Sequence, residues 1–243
     1  MSDPSIRLDG RGPRDLRPVK VELGYLEWAE GSVLLEMGKT RVLAAASFEP
    51  KVPKFLHGSG TGWITAEYAM LPRATAIRTP REVQAGRPSG RTQEIQRLVG
   101  RSLRSVAALE RMGESTFWID CDVLQADGGT RTASITAGYL ALAQAVRRVA
   151  EEGHVPGDVL TDSVAAVSAG IVGEDILLDL CYEEDARAEV DFNVVMTGSG
   201  ELVEVQGTAE GRSFSRAQLD ELVSLAGDGI APLTELQRQL LSG

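Results

Sequence analysis

The order of apolar and polar residues along the chain predicts eight β-strands. Residues 19–48 alternate apolar and polar side chains and are interrupted at Glu30-Gly31 and Gly38-Lys39, which is typical of a three-stranded antiparallel meander. The other predicted strands cover 118–124, 163–172, 176–182, 189–197 and 202–206. Residues 49–90 are rich in proline and glycine and are predicted to form a long connection.

Apolar residues spaced three and four apart predict four helices. One begins at Thr92, a second covers 134–150, and the last two cover 215–224 and 232–241. The order β-β-β-α-β-α-β-β-β-β-α-α contains no proline- or serine-rich separator and no short repeat. It predicts an α/β (α+β) fold, a single two-layer domain with mixed β-sheets and helices over residues 1–243. Two subdomains are the alternative.

The overall composition is that of an ordinary globular protein. Of the 243 residues, 43% are hydrophobic and 25% are charged, which excludes a largely disordered chain. The two cysteines, Cys121 and Cys181, have no metal-ligand spacing, so free buried thiols are expected. No apolar run is long enough to span a membrane, and the first residues contain no apolar leader, so we expect a cytoplasmic protein.

Charge is distributed very unevenly along the chain. The formal net charge of −10 argues against a nucleic-acid partner. However, residues 73–111 contain nine arginines, no lysine and three acidic residues, whereas residues 174–191 contain eight acidic residues and one arginine. A run of like charges is often only a solvated surface, but the exclusive use of arginine indicates bidentate binding of phosphate groups. The chain therefore has one candidate segment for anions and one for cations.

A glycine turn joins the strand 118–124 to the helix 134–150. The turn, DGGTRT, places two glycines and Arg131 next to the expected start of a helix. Glycine allows close approach of the backbone, and the free N–H groups at a helix start attract anions, so the turn is a candidate phosphate site. An ordinary turn, with Thr132 as the helix cap and a solvated arginine, explains this stretch equally well.

The acidic segment contains a pair of carboxylates six residues apart. Asp185 ends the turn after one predicted strand, and Asp191 begins the next strand on the same face as Asn193. Two neighbouring carboxylates repel each other unless a cation lies between them, and Mg²⁺ is held by one or two carboxylates together with water and phosphate oxygens. An acidic hairpin tip in water is the favoured reading of this segment alone. Asp179 is a weaker candidate than either aspartate.

Seven strings in fixed order carry a resemblance to a known family. They are RPVKVELGYLEWAEGSVLLEMGKTRVLAAAS, GWITAEYAMLPRAT, GRTQEIQRLVGRSLR, CDVLQADGGTRTASITAGYLALA, AAVSAGIV, EVDFNVVMT and EVQGTAEG. On these strings the chain resembles the bacterial ribonuclease PH family over nearly its full length. Long strings in order are far more specific than one glycine turn. The resemblance implies the β-α-β-α fold of that family.

The resemblance also implies a role for each matched residue. Phosphate is implied to bind at Arg91, Gly129, Thr130 and Arg131. Asp185 and Asp191 are implied to be catalytic and to hold Mg²⁺, and Arg73, Arg78 and Arg81 are implied to grip the 3′ end of RNA. No role is assigned to residues 1–10.

The implied reaction is phosphorolysis of RNA from its 3′ end. Inorganic phosphate is the implied co-substrate, nucleoside 5′-diphosphates are the products, tRNA precursors are the substrates, and the reaction is reversible. The implied assembly is a homo-hexameric ring, a trimer of dimers. Two rival functions are a metal-dependent hydrolytic exonuclease, which needs no anion pocket, and a catalytically silent RNA-binding ring subunit, which would have lost the carboxylates or the phosphate ligands.

Overall fold

A five-stranded sheet forms the first half of the protein. The computed structural model describes residues 7, 9–210 and 213–242. The predicted meander is present and antiparallel, and the strand order is β1-β2-β3-β5-β4. These strands are β1 (Val19–Leu23), β2 (Gly31–Met37), β3 (Thr40–Glu49), β4 (Trp63–Met70) and β5 (Thr116–Gln125). Only the pairing of β4 with β5 is parallel, so this sheet is mixed.

Strand β4 corrects the prediction that 49–90 is a continuous connection. Its Ile64, Ala66 and Tyr68 are buried at alternate positions, as expected for an edge strand with one face on the core. Glycine- and proline-rich segments flank the strand, so the sequence around it predicted a loop. It is held in place by parallel pairing with β5, a contact distant in sequence that local patterns do not reveal.

Two helices cover this sheet, and both begin earlier than predicted. Helix α1 (Gly90–Arg104) starts two residues before Thr92, because the Ser89 hydroxyl caps it by accepting a hydrogen bond from the Thr92 N–H. Helix α2 (Thr130–Glu151) starts four residues before the predicted 134. Most of α2 is buried, because it packs against both sheets of the protein.

The second sheet is antiparallel throughout and has the order β7-β6-β8-β9. Its strands are β6 (Val164–Val172), β7 (Asp175–Leu178), β8 (Val190–Thr197) and β9 (Leu202–Ala209). The predicted strand 176–182 is wrong at its end, since β7 stops at Leu178 and Asp179 turns the chain with a positive φ of 52°. A helical turn, α3 (Tyr182–Asp185), follows. Asp185 therefore lies on a helical turn and not in a simple hairpin.

A single helix replaces the two that are predicted at the end of the chain. Helix α4 (Arg216–Leu241) is continuous and contains Pro232. The glycines and the proline between 224 and 232 suggested a break. Instead, Gly229 brings the helix so close to β7 that a β-carbon there would lie 2.8 Å from the Leu178 side chain. Packing of the apolar face of α4 on the sheet outweighs the low helix propensity of these glycines and of the proline.

The two sheets share one hydrophobic core with α2 between them. Buried residues of β2, β3 and β5 and those of β6 and β8 belong to the same cluster, which confirms the predicted α/β class with sheets and helices. Both cysteines are free, but only Cys121 is fully buried. Within the described residues, no helix is both long and apolar enough to cross a membrane.

Candidate active site

A cavity of about 340 Å³ lies where the β5–α2 turn meets the second sheet. All the residues predicted to bind phosphate and both predicted catalytic carboxylates line it. The lining residues are Met70, Thr75, Arg91, Ala126, Gly128, Gly129, Thr130, Arg131, Ser168, Tyr182, Asp185, Asp191 and Asn193. The anion candidates and the cation candidates, which are far apart in sequence, therefore form one site.

The glycine turn is shaped by close backbone contacts. Gly128 and Gly129 both have left-handed φ values, 75° and 63°. A β-carbon on Gly128 would lie 2.4 Å from the Leu180 carbonyl oxygen, so only glycine fits against the chain that leads to α3. Gly129 precedes α2 and provides no side-chain cap. The alternative with Thr132 as the helix cap is wrong, because Thr132 lies inside the first turn and its hydroxyl donates back to the Gly129 carbonyl.

The two arginines of the cavity are held differently. Arg131 is mostly buried and donates to Glu94 Oε1 at 3.1 Å and to the Gln206 side chain. The Gln206 amide in turn donates to Glu94 at 3.0 Å, so residues from α1, α2 and β9 fix this guanidinium. Arg91 lies exposed in the first turn of α1 and makes no ion pair with any residue in the described part of the chain. Its five donors are therefore available to a ligand.

The two carboxylates of the cavity differ in their exposure to solvent. Asp185, at the end of α3, is exposed toward the cavity, whereas Asp191, in β8, is half-buried and accepts a hydrogen bond of 3.2 Å from Asn193. Loss of hydration raises the pKa of Asp185, repulsion from Asp191 raises it further, and Arg91 and Arg131 partly oppose the shift. Desolvation likewise raises the pKa of Asp191 against the effect of the same two arginines. The two arginines therefore compensate the negative charge of the pair only in part.

This pair fits a hard divalent cation better than a transition metal. Among the described residues, no group of three or more histidine, cysteine, aspartate or glutamate side chains is arranged to hold a metal. Mg²⁺ does not need such a cage, because it is commonly held by one or two carboxylates together with water and phosphate oxygens. Asp185 and Asp191 are the residues that would hold it.

The three arginines predicted to grip RNA lie outside the cavity. Arg73, Arg78 and Arg81 are all exposed on the loop between β4 and α1, and their side chains form no ion pair within the part of the chain that the structure describes. Arg81 lines a neighbouring cleft of about 370 Å³ together with Glu67 and Gln96. The structure does not bring Arg73 or Arg78 into contact with either the turn or the carboxylates.

Several residues of the site are absent from the sequence prediction. Tyr68 contacts the Thr130 hydroxyl at 2.9 Å, so Thr130 is positioned from β4, the strand that was not predicted. Ser168 lies opposite Asn193 in the second sheet, and both line the cavity. Ser168 is a polar residue in the apolar run VAAVSAGIV, which is a usable signal. Glu94 and Gln206 show no such signal, since both lie among other polar residues.

Fold and site together define an α/β enzyme that acts on phosphate groups. Two family models match the chain: domain 1 of the 3′ exoribonuclease family over residues 15–147, and domain 2 of the same family over residues 162–229. The ribonuclease PH of Moorella thermoacetica is 58% identical over 236 residues, covering 97% of this chain and 94% of the relative. The ribonuclease PH of Solibacter usitatus is 56% identical over 238 residues, covering 98% and 100%.

Solved structures share the fold at much lower identity. Rice Rrp46 superposes with a TM-score of 0.78 at 20% identity, covering 97% of this chain and all of that one. A chain of the Archaeoglobus fulgidus exosome with RNA bound to the active site also gives 0.78, at 23% identity, covering 97% and 92%. The chain belongs to the 3′ exoribonuclease family, as a member of the ribonuclease PH type. It is a phosphorolytic 3′-to-5′ exoribonuclease, which is an enzyme of the nucleotidyltransferase type.

The raised pKa values predict how the carboxylates affect stability. A carboxyl whose folded-state pKa is raised makes the fold less stable as pH rises from the ordinary value of 3.8 through the raised value. Asp191→Asn removes that charge and keeps an acceptor for Asn193, so the variant should melt above the wild type at neutral pH. The difference should shrink toward pH 4. Thermal unfolding from pH 4 to pH 8 measures this.

Glu183→Gln is the matched control, because Glu183 is an exposed acid on α3, outside the cavity. It should leave the pH dependence of the melting temperature unchanged. Mg²⁺ should raise the melting temperature of the wild type more than that of Asp191→Asn. A wild type and an Asp191→Asn variant with the same melting temperature at every pH would show that the pair carries no electrostatic strain.

Proposed function

We propose that this chain trims the 3′ end of tRNA precursors, with inorganic phosphate in the cavity as the nucleophile. The observation that carries the proposal is the composition of the cavity: two arginines and an uncapped helix start face two carboxylates across one space. Phosphate attacks the terminal 3′,5′-phosphodiester, a nucleoside 5′-diphosphate leaves, and the RNA is one nucleotide shorter. Since an ester is exchanged for an anhydride of comparable energy, nucleoside diphosphates can also extend RNA.

The phosphate is held by Arg91, Gly129, Thr130 and Arg131. The backbone N–H groups at the start of α2 point into the cavity and carry the partial positive charge of the helix end. Arg131 is already oriented by Glu94 and Gln206, so little side-chain entropy is lost when it binds an anion. Arg91 has no competing ion pair in the described residues and closes the pocket from α1.

The carboxylate pair serves the transition state. When bound, Mg²⁺ would neutralise charge on the phosphoryl oxygens. Asp191 is the less exposed of the two aspartates and has a raised pKa, so it is suited to give a proton to the departing 3′-oxygen as general acid. Asp185, on the cavity wall, is then the member of the pair that stays ionised. Catalysis then depends on positioning and electrostatic stabilisation and not on a covalent intermediate.

RNA reaches the cavity along the loop that carries Arg73, Arg78 and Arg81. These side chains are exposed and unpaired within the described residues, so they can follow the phosphates of a flexible strand. Their position outside the cavity suits contacts with nucleotides upstream of the 3′ terminus. The net charge of −10 over the whole chain does not prevent binding, because the arginines between 73 and 111 are concentrated in one segment.

The protein is proposed to act as a homo-hexameric ring, a trimer of dimers, in the cytoplasm. Solved structures that share the fold include a chain of an archaeal exosome and a chain of an archaeal exosome core, which supports assembly with other subunits. Residues 1–243 are proposed to form one catalytic domain per subunit, because the two sheets share a single core.

Shortening of RNA by this protein should require inorganic phosphate. With an RNA that has a tRNA-like 3′ extension and a radiolabel in its internal phosphates, addition of phosphate should release labelled nucleoside 5′-diphosphates one residue at a time. Thin-layer separation of mono- and diphosphates identifies the product, and Asp185→Asn is the inactive control. Equal rates without phosphate, with monophosphates as products, would instead identify a hydrolytic exonuclease. No shortening under either condition would identify a silent ring subunit.

Arg91→Lys should be nearly as harmful as Arg91→Ala. A lysine retains the charge but not the planar fork, and a charge-assisted hydrogen bond contributes roughly 1.5–3 kcal/mol. We expect KM for phosphate to rise about tenfold or more in both variants. Arg97→Lys, at an exposed position of the same helix outside the cavity, is the matched control and should leave KM unchanged. Normal kinetics of Arg91→Lys at low phosphate would contradict a bidentate contact.

RNA affinity should depend on salt through the loop arginines. For single strands the slope of log K against log salt is about −0.7 per neutralised phosphate, so the triple alanine variant of Arg73, Arg78 and Arg81 should flatten it by up to about 2. The control replaces three exposed arginines outside the cavity, Arg147, Arg216 and Arg238, which changes the net charge equally. The same loss of slope in both proteins would attribute the effect to net charge alone.

A further inference from the structure

Three arginines near the start of the chain converge on two buried acids of the second sheet. Arg7, Arg11 and Arg17, which we call the N-terminal clamp, surround Asp179 and Glu184. Arg7 and Arg17 expose only 7% and 3% of their surface, and Asp179 and Glu184 expose 1% and 3%. Charges are rarely buried to this extent, and here every acid has an arginine partner. None of the five residues lines the catalytic cavity.

Arg17 connects Asp179 to the glycine turn. Its Nε and Nη2 donate to the two Asp179 oxygens at 2.9 and 2.6 Å, and its backbone N–H donates to the same carboxylate at 2.8 Å. On the other side its Nη1 donates to the Asp127 carbonyl, and its Nη2 lies 3.5 Å from the Gly128 carbonyl oxygen. One guanidinium therefore joins the turn that precedes α2 to the residue that ends the β7 region.

Arg7 holds the helical turn that carries Asp185. Its Nε donates to Glu184 Oε1 at 2.7 Å and its Nη2 to the other carboxylate oxygen. It also donates to the carbonyls of Leu178 and Asp179, at 2.6 and 2.9 Å. Glu184 directly precedes Asp185, and it also accepts from the Cys181 N–H at the start of α3. The orientation of Asp185 therefore depends on a residue at the beginning of the chain.

The backbone at Asp179 has a left-handed conformation, which is unusual for a residue with a side chain. Its φ of 52° is the only positive value among the described residues that are not glycine. Such a conformation is unfavourable for a residue with a side chain, so contacts with other segments must stabilise it. The Asp179 carbonyl accepts from Arg7 and from Arg11, and its carboxylate accepts from Arg17, so the clamp occupies each of its acceptors.

We infer that the N-terminal clamp positions both halves of the active site, the glycine turn chiefly through Arg17 and Asp185 chiefly through Arg7. A buried ion network is an inefficient source of stability, since apolar side chains of similar volume stabilise a fold as well or better. It is, however, an effective way to hold two backbone segments at one distance and orientation. The inference rests on the proposed roles of the turn and of Asp185.

Substitution of Arg17 and substitution of Arg7 should give different kinetic defects. In Arg17→Lys the turn loses its bridge, so KM for phosphate should rise about fivefold to tenfold while kcat at saturating phosphate falls less. In Arg7→Lys the carboxylate turn is loosened, so kcat should fall by a similar factor, more Mg²⁺ should be needed for half-maximal rate, and KM for phosphate should stay the same. Arg14→Lys is the control, because Arg14 pairs with Asp228 at the surface.

A second pair of variants tests the turn without changing a buried charge. Thr40 accepts from the Asp127 N–H at 2.9 Å and donates to the Gly128 carbonyl at 2.7 Å, so its hydroxyl supports the same turn. Thr40→Val removes the hydroxyl at nearly equal volume and should raise KM for phosphate, whereas Thr40→Ser keeps the hydroxyl and should not. This pair decides the question even when Arg17→Lys does not fold.

A purely structural clamp gives a different result. Arg17→Lys and Thr40→Val would then lower kcat in proportion to the folded fraction, measured by circular dichroism, and leave KM for phosphate unchanged, which would overturn the inference. Equal effects of Arg7→Lys and Arg17→Lys on both constants would also overturn the division of roles between Arg17 and Arg7. Phosphate-independent activity of the wild type is a separate outcome, since it contradicts the proposed function and not the clamp.

Discussion

The active site depends on one close contact between backbones. Gly128 lies against the segment from Leu180 to Tyr182, where a β-carbon would be 2.4 Å from a carbonyl oxygen and 3.0 Å from a backbone nitrogen. This contact brings the phosphate turn of the first sheet to the carboxylates of the second. Any other residue at position 128 would carry a β-carbon that pushes the two segments apart. The distance between the glycine turn and the carboxylates therefore depends on glycine at this position.

Helix α2 gives this contact its rigidity. It begins at the phosphate turn and continues through the shared core, with residues such as Ile135, Leu142 and Val146 buried between the sheets. Strand β2 approaches it so closely at Gly31 that a β-carbon would lie 2.1 Å from the Ala141 carbonyl oxygen. A helix packed on both sides cannot shift without disturbing both sheets. Its N–H groups are therefore preorganised for an anion, which is how electrostatic stabilisation is most effective.

The parts of the site that are predictable from the sequence are those with local signals. Gly129 and Arg131 stand in a strand-turn-helix pattern, and Asp185 and Asp191 stand in an acidic run, so local patterns made all four candidates, and the structure places them in one cavity. Strand β4 was missed because its parallel partner is distant, and the Asp179 turn was missed because a left-handed aspartate has no sequence signature. Arg17 and Glu94 act through partners on other elements, which periodicity cannot indicate. Local patterns therefore indicated candidate residues that line the cavity, but not the residues that hold those candidates in position.

The N-terminal clamp also relates the site to the order in which the chain is synthesised. Arg7 is synthesised 177 residues before its partner Glu184, so the two can pair only after the whole intervening segment has emerged from the ribosome. Until then the first sheet and α2 can form, but the guanidinium groups of residues 7–17 have no buried acids to pair with. The glycine turn is therefore synthesised before the carboxylates, and the contacts of the clamp can join the two sides of the cavity only when both segments have emerged.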